Sequence, residues 1–252
     1  MEPQARRILV INGKGGCGKT TIATNLAVAY ATNDIPVALA DHDPQASSTY
    51  WSEQRSADLP RVPVIRAHEK SSMYQTQVFH NRIPPDTQRI IIDGQSNARE
   101  TDLAGALKQA DIILIPVLPS SIDIRASANF ITKLLTHRSF RADPRPVGVI
   151  ANRVQPNSPT HNKLMHFLGC LDVPTVATFR DSPVYSEAVE LGQGVVDQKE
   201  VRAARKEAAN WHQLLRWLEE QTPNSRATVQ SIRQRPAAAK PHRDVPPEAD
   251  VG

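Results

Sequence analysis

The segment GKGGCGKTT, residues 13–21, constrains this chain more than any other stretch. It fits the spacing G-x-x-x-x-G-K-[ST] through Gly13, Gly18, Lys19 and Thr20, with Gly15, Gly16 and Cys17 inside the loop. The apolar run RILVIN (7–12) precedes it, and TTIATNLAVAYATND, which reads as a helix, follows from Thr20. Strand, glycine-rich turn and helix N-terminus in that order make a phosphate cradle. Backbone N–H groups point inward, and the helix end adds partial positive charge. In such a loop Lys19 reaches the β- and γ-phosphates and the Thr20 hydroxyl binds Mg²⁺. Nothing nearby marks Cys17 as a reactive thiolate. Lys14, directly after the first glycine, has no role in this scheme.

Further short apolar runs recur along the chain: PVALAD (36–41), VPVIRA (62–67), RIIID (89–93), IILIPV (112–117), VGVIAN (147–152) and PTVATF (174–179). They lack strict alternation, as strands covered on both faces do. The segments between them are long enough for crossover helices. The expected fold is α/β, a doubly wound, mostly parallel sheet flanked by helices. The domain should span residues 1–221. From Thr222 the chain turns proline-rich and basic and has few large apolar residues. Residues 222–252 are therefore expected to form a disordered tail. With 40% hydrophobic residues and a net charge of +4, the composition suits one globular domain plus a tail. No apolar run approaches the roughly 20 residues of a membrane span, and the N-terminus does not read as a signal peptide. Cys17 and Cys170 fit no metal or disulfide spacing. A cytoplasmic protein is expected.

Carboxylates are placed where such a site needs them. The second strand ends in Asp41-His42-Asp43-Pro44-Gln45, and RIIID ends in Asp93. Acids at the C-terminal ends of parallel strands lie on the ligand-binding edge of the sheet. Asp93 in that position can hold the hydration shell of Mg²⁺.

KGGCGKTT resembles the deviant Walker A signature, KGGxGK[ST]T, of the ParA/MinD class of ATPases. DHDPQASSTYW is similar to that family's D-x-DPQ-x-SS segment, and RIIID to its Walker B strand. ADIILIPVLPSSIDI, ANRV and TFRDSPVYSEAVELGQGV resemble later segments, so the likeness runs over residues 7 to 218. It implies ATP and Mg²⁺ as ligands and a P-loop NTPase with slow intrinsic turnover. It also implies a homodimer formed on ATP binding, in which Lys14 reaches the partner's phosphates. Asp43 matches the residue that positions the attacking water, and Asp41 an acid near the metal. Thr21 matches the residue at the α-phosphate, Asn152 one near adenine, and Arg180 and Asp181 a segment flanking the base. One departure stands out: many members follow the Walker B aspartate with prolines, whereas this chain reads Asp93-Gly94-Gln95-Ser96.

The family branches by partner. QKEVRAARKEAANWHQLLRWLEE (198–220) reads as an amphipathic helix. Val201, Ala204, Ala208, Trp211, Leu215 and Leu218 fall on one arc, and Lys199, Arg202, Arg205, Lys206 and Arg216 on another. Glu200, Glu207, Glu219 and Glu220 lie nearby. The resemblance to short ParA proteins implies non-specific DNA binding through that basic face. It also implies nucleoid association and a cargo-bound adaptor, ParB-like or equivalent, that stimulates hydrolysis. The cargo, a plasmid, a chromosome or a protein body, is not readable. A MinD-like membrane role lacks a bulky C-terminal amphipathic segment, so no stable membrane association is expected. A superfamily biosynthetic ligase or metal-cluster carrier lacks the necessary pocket or cysteines.

Overall fold

A computed structural model describes residues 5–68 and 83–221. The expected tail, 222–252, lies outside the described residues. Seven parallel strands form one sheet: β1 (Arg6–Val10), β2 (Val37–Asp41), β3 (Val64–Arg66), β4 (Arg89–Asp93), β5 (Ile112–Val117), β6 (Val147–Val154) and β7 (Thr175–Arg180), in the order β3-β2-β4-β1-β5-β6-β7. The expected doubly wound α/β architecture is present. β1 lies between β4 and β5, with Val10 level with Asp93 on one side and Leu114 on the other. The strand order therefore reverses beside β1, and the loop after β1 opens at that reversal, where such sheets bind ligands.

The near-continuous apolar runs have a simple cause. Ile8 and Val10 of β1 point into one core, with Leu39, Ile91 and Leu114. Leu9 and Ile11 point into the other, with Ile92, Ile113 and Val149. The first core is closed by α1 (Lys19–Thr32) and α8 (Arg202–Glu220). The second is closed by α3 (Glu100–Gln109), α4 (Ser121–Thr136) and α6 (Pro159–Gly169). Helix α1 lies between sheet and α8 and is buried nearly all round, including Thr24 and Asn25. The polar pair is satisfied within the fold: Thr24 donates to the Thr20 carbonyl at 2.9 Å, and Asn25 to that of Thr21 at 2.8 Å.

Helix α8 differs from the expected 198–220. It begins at Arg202, so Lys199 and Val201 precede it. The chain before it is held in a turn, Val195–Asp197. There the Asp197 carboxylate accepts from the Gly194 N–H and forms a buried ion pair with Arg55 at 2.9 Å. The inward face also differs. Ala204, Glu207, Trp211, Leu214 and Leu218 are buried, a 3-4-3-4 spacing, while Ala208 and Leu215 are only partly covered. Trp211 stacks on Phe179 of β7, with ring centroids 4.2 Å apart. Glu207 therefore belongs to the inner face and not with the exposed acids.

Three shorter helices complete the helical layers: α2 (Ser47–Gln54) beside α1, α5 (Arg138–Ala142) beside α3 and α4, and α7 (Pro183–Glu190) beside α2. Trp51 of α2 is fully buried and donates through Nε1 to the Gln193 carbonyl at 3.1 Å. No helix among the described residues is long and apolar enough to cross a membrane.

Candidate nucleotide site

The loop after β1 forms one wall of a cavity of about 860 Å³ at the C-terminal edge of the sheet. Gly15, Gly16, Gly18, Lys19, Thr20 and Thr21 line it. Gly16 and Gly18 have φ of 73° and 93°, which turn their amides inward and which other residues rarely adopt. Gly18 carries a second constraint: an added Cβ would stand 2.2 Å from Asn152 Nδ2. Asn152, expected near adenine, lines the cavity and donates from that atom to the Cys17 carbonyl at 2.9 Å, so it also braces the loop. Gly13 faces the Phe130 ring, and Cys17 is buried, with its thiol pushed upward by that burial.

Two carboxylates lie beneath, fully buried. Asp93 Oδ2 accepts from Thr20 Oγ1 at 2.8 Å and from Ser48 Oγ at 2.7 Å. Its Oδ1 is buried and accepts no hydrogen bond. Burial pushes the carboxyl up to about 6, against the pull of the Ser48 and Thr20 hydroxyls. Asp41 is differently engaged. Its Oδ2 accepts from the Thr49 N–H at 2.9 Å and Thr49 Oγ1 at 2.8 Å, and its Oδ1 from the Asp43 N–H at 3.2 Å. Asp41 thus organises the turn into α2. Asp43 reaches the cavity, where one oxygen accepts from the Gln45 N–H at 3.0 Å and the other from the Ser96 N–H at 3.3 Å.

These groups suit a divalent cation only jointly with phosphate. Among the described residues, no three His, Cys, Asp or Glu side chains are placed to hold an ion themselves. Asp93 Oδ1 is an unpaired buried acceptor next to the loop hydroxyl, which fits Mg²⁺ bound through one or two carboxylates, water and phosphates. Thr20 would supply the hydroxyl and Asp93 the second contact.

The two lysines are held differently. Lys19 is buried, and its Nζ donates to Ser96 Oγ at 2.6 Å and to the Lys14 carbonyl at 3.2 Å. Lys14 Nζ turns away from the cavity and pairs with Asp123 in the first turn of α4 at 3.2 Å.

At the far end, Arg180, Asp181 and Tyr185 line the cavity. Arg180 Nε donates to Glu207 Oε1 of α8 at 2.5 Å, and Tyr185 Oη to Glu207 Oε2 at 3.0 Å. Asp181 pairs with Arg153 at 3.1 Å. Several of these residues escaped the reading of the sequence. Ser48 and Thr49 lie in the DPQASST segment, where hydroxyls open a helix beside two acids. Glu207 breaks an otherwise apolar register, and that register was the signal for it. Ser96 stood in the departure after Asp93 without a role assigned to it, and Arg153 carried no local signal.

The five expected DNA-contact residues, Lys199, Arg202, Arg205, Lys206 and Arg216, are all exposed. Arg202, Arg205, Lys206 and Arg216 share one face of α8, while Lys199 stands just before it. None pairs with a carboxylate among the described residues. Glu207 is taken by Arg180, and Glu219 by Arg89 at 2.6 Å and Tyr30 at 3.0 Å.

Comparison with known proteins agrees with this geometry. A profile described as the CobQ/CobB/MinD/ParA nucleotide binding domain matches residues 8–193. The chain is 30% identical over 195 residues to "Maintenance of carboxysome distribution protein A" of Halothiobacillus neapolitanus, covering 76% of this chain and 87% of that one. Its fold matches the septum site-determining protein MinD of Pyrococcus horikoshii complexed with Mg-ADP at a TM-score of 0.60, with 18% identity, over 84% of this chain and 94% of that one. It also matches an McdA–ATP complex of Cyanothece at a TM-score of 0.57, with 16% identity, over 83% and 96% of the two chains. A phosphate loop at the strand-order reversal, with two buried acids beneath it, thus places this chain in the CobQ/CobB/MinD/ParA family of nucleotide-binding domains.

Proposed function

We propose that this protein is a Mg²⁺-dependent ATPase that dimerises on ATP, binds DNA without sequence preference and positions a cargo. The observation that carries the reading is the division of labour between two lysines on one loop. Lys19 is buried at the phosphate wall, whereas the Lys14 side chain is 40% exposed and directed outward. A cation at the rim of one nucleotide site is available to a second copy. Charge supplied in trans to a triphosphate makes the nucleotide an adhesive, as an arginine finger does. Loss of the terminal phosphate then weakens the contact.

Within each copy the loop amides and Lys19 hold phosphate, and Thr20 and Asp93 hold Mg²⁺, with Asp41 bracing the switch turn. Asp43 orients the attacking water. Bound Mg²⁺ would supply charge neutralisation at the phosphates. The cations of α8, exposed and without a carboxylate partner among the described residues, suit a DNA backbone, and a dimer doubles them, so ATP control of dimerisation becomes control of DNA affinity. The protein would then reside in the cytoplasm on the nucleoid. A partner carried by the cargo would accelerate hydrolysis. The name of the Halothiobacillus relative favours a carboxysome-like protein body as cargo over a plasmid.

The test is retention on non-specific duplex with ATP, with ADP and without nucleotide, alongside sedimentation under the same conditions. A dimer and retained DNA only with ATP and Mg²⁺ are expected. Equal retention in ADP and ATP, or a monomer throughout, would overturn the cycle.

A further inference from the structure

Directly after Asp93 the chain reads Gly94-Gln95-Ser96, and the structure shows what these residues do. The Gly94 N–H donates to the Val10 carbonyl at 2.9 Å. A Cβ at Gly94 would stand 2.7 Å from that oxygen, so only glycine lets the chain cross the end of β1 so closely. Three residues on, the Asn97 N–H donates to the Gly13 carbonyl at 3.3 Å, with Asn97 in the left-handed region at φ 49°. The segment is thus tied at both ends, once to the strand before the phosphate loop and once to the loop itself. Ser96 lies between the ties and lines the cavity.

Ser96 meets both groups assigned to the chemistry. Its hydroxyl accepts from Lys19 Nζ at 2.6 Å, and its N–H donates to Asp43 Oδ2 at 3.3 Å. Proline at this position could do neither, having no hydroxyl and no N–H. A phosphate oxygen is a stronger acceptor for an ammonium than a serine hydroxyl. When Lys19 turns to phosphate, the Ser96 hydroxyl loses a donor and keeps its own proton to give.

We infer that Ser96 is a terminal-phosphate contact of this site: its hydroxyl passes from accepting Lys19 to donating to the γ-phosphate, and its N–H positions Asp43. The inference rests on the ATPase reading above and locates in Ser96 the discrimination of triphosphate from diphosphate.

The experiment uses the full chain as wild type, Ser96→Ala, Ser96→Thr and Ser96→Pro. Affinities for ADP and for a non-hydrolysable ATP analogue are measured with Mg²⁺, together with kcat and KM for ATP. ADP affinity should stay within about twofold in Ser96→Ala and Ser96→Thr, because diphosphate does not reach the hydroxyl. Ser96→Ala should lose about tenfold in analogue affinity and in kcat, and Ser96→Thr should return to within about threefold of wild type. Ser96→Pro should lose a further factor of about ten in kcat through the missing N–H. If Ser96→Ala matches wild type in kcat and in the ratio of the two affinities, the assignment is overturned and the ATPase reading stands. An equal loss for both nucleotides overturns it as well, since that marks a merely structural role. A wild type that binds neither nucleotide overturns both readings.

Discussion

Lys14 Nζ and Asp123 Oδ1 lie 3.2 Å apart within one chain, so the cation proposed to serve a neighbouring subunit is held by an acid of its own. Asp123 is fixed for this task. Its N–H donates to Ser120 Oγ at 3.1 Å, and the Ser120 hydroxyl in turn hydrogen-bonds the Asp123 carboxylate. The pair is partly exposed, so its strength is modest, of the order of 0.5–1 kcal/mol. That is enough to bias, and not to block, release of the lysine. Asp123→Ala should dimerise at about five- to thirtyfold lower protein concentration with ATP, because each dimer releases two such pairs. Lys14→Ala should not dimerise at all. Sedimentation equilibrium of both variants checks this.

Asp93 makes stability depend on pH. Its folded value, about 6, lies above its ordinary 3.8, so between those values the folded chain keeps a proton that the unfolded chain has lost. Stability of the nucleotide-free protein should therefore fall as pH rises from about 4 to 6, by an amount of order 3 kcal/mol, and level off above. Asp93→Asn should remove that slope and raise the Tm at pH 7.5. It should also abolish the further rise in Tm expected of wild type with ATP and Mg²⁺. Thermal melts across pH, with and without ligand, read both effects.

Glu207 joins the nucleotide wall to α8 through Arg180 and Tyr185. Glu207→Ala leaves Arg180 without its partner and opens space beside Trp211. A loss of about 3 kcal/mol in urea unfolding is expected. Tyr185→Phe removes one hydrogen bond and should cost about 1 kcal/mol.

The cations of α8 are exposed and make no ion pair among the described residues, so their removal should leave the fold intact. Arg202, Arg205 and Lys206 changed together to Ala should keep the wild-type Tm and ATP turnover. The plot of log affinity for duplex against log salt should lose about one unit of slope per phosphate contact removed. An unchanged slope would place DNA elsewhere on the surface.

Gly94→Ala should be worse than its size suggests. The added carbon meets the Val10 carbonyl, a backbone atom that cannot swing aside. A destabilisation of about 1–3 kcal/mol is expected, with loss of turnover as Ser96 is displaced.

The sequence alone determined the sheet, the phosphate loop and the acids around it. Strands buried on both faces must be apolar throughout, and a loop that wraps phosphate needs glycine where φ is positive. Those demands act on neighbours in the chain, so they are written in neighbours: Gly16 and Gly18 beside Lys19, and Asp93 at the end of RIIID. Helix α8 was legible as amphipathic, but its inward face was read one register off, because Glu207 looks like a surface residue until Arg180 and Tyr185 are seen to surround it. Only the tertiary structure decided what each polar group touches. Ser96 meets Lys19 across 77 positions and Lys14 meets Asp123 across more than a hundred. Such pairings depend on how strands order themselves and how closely Gly94 lets two backbones approach, and local sequence pattern carries no record of either.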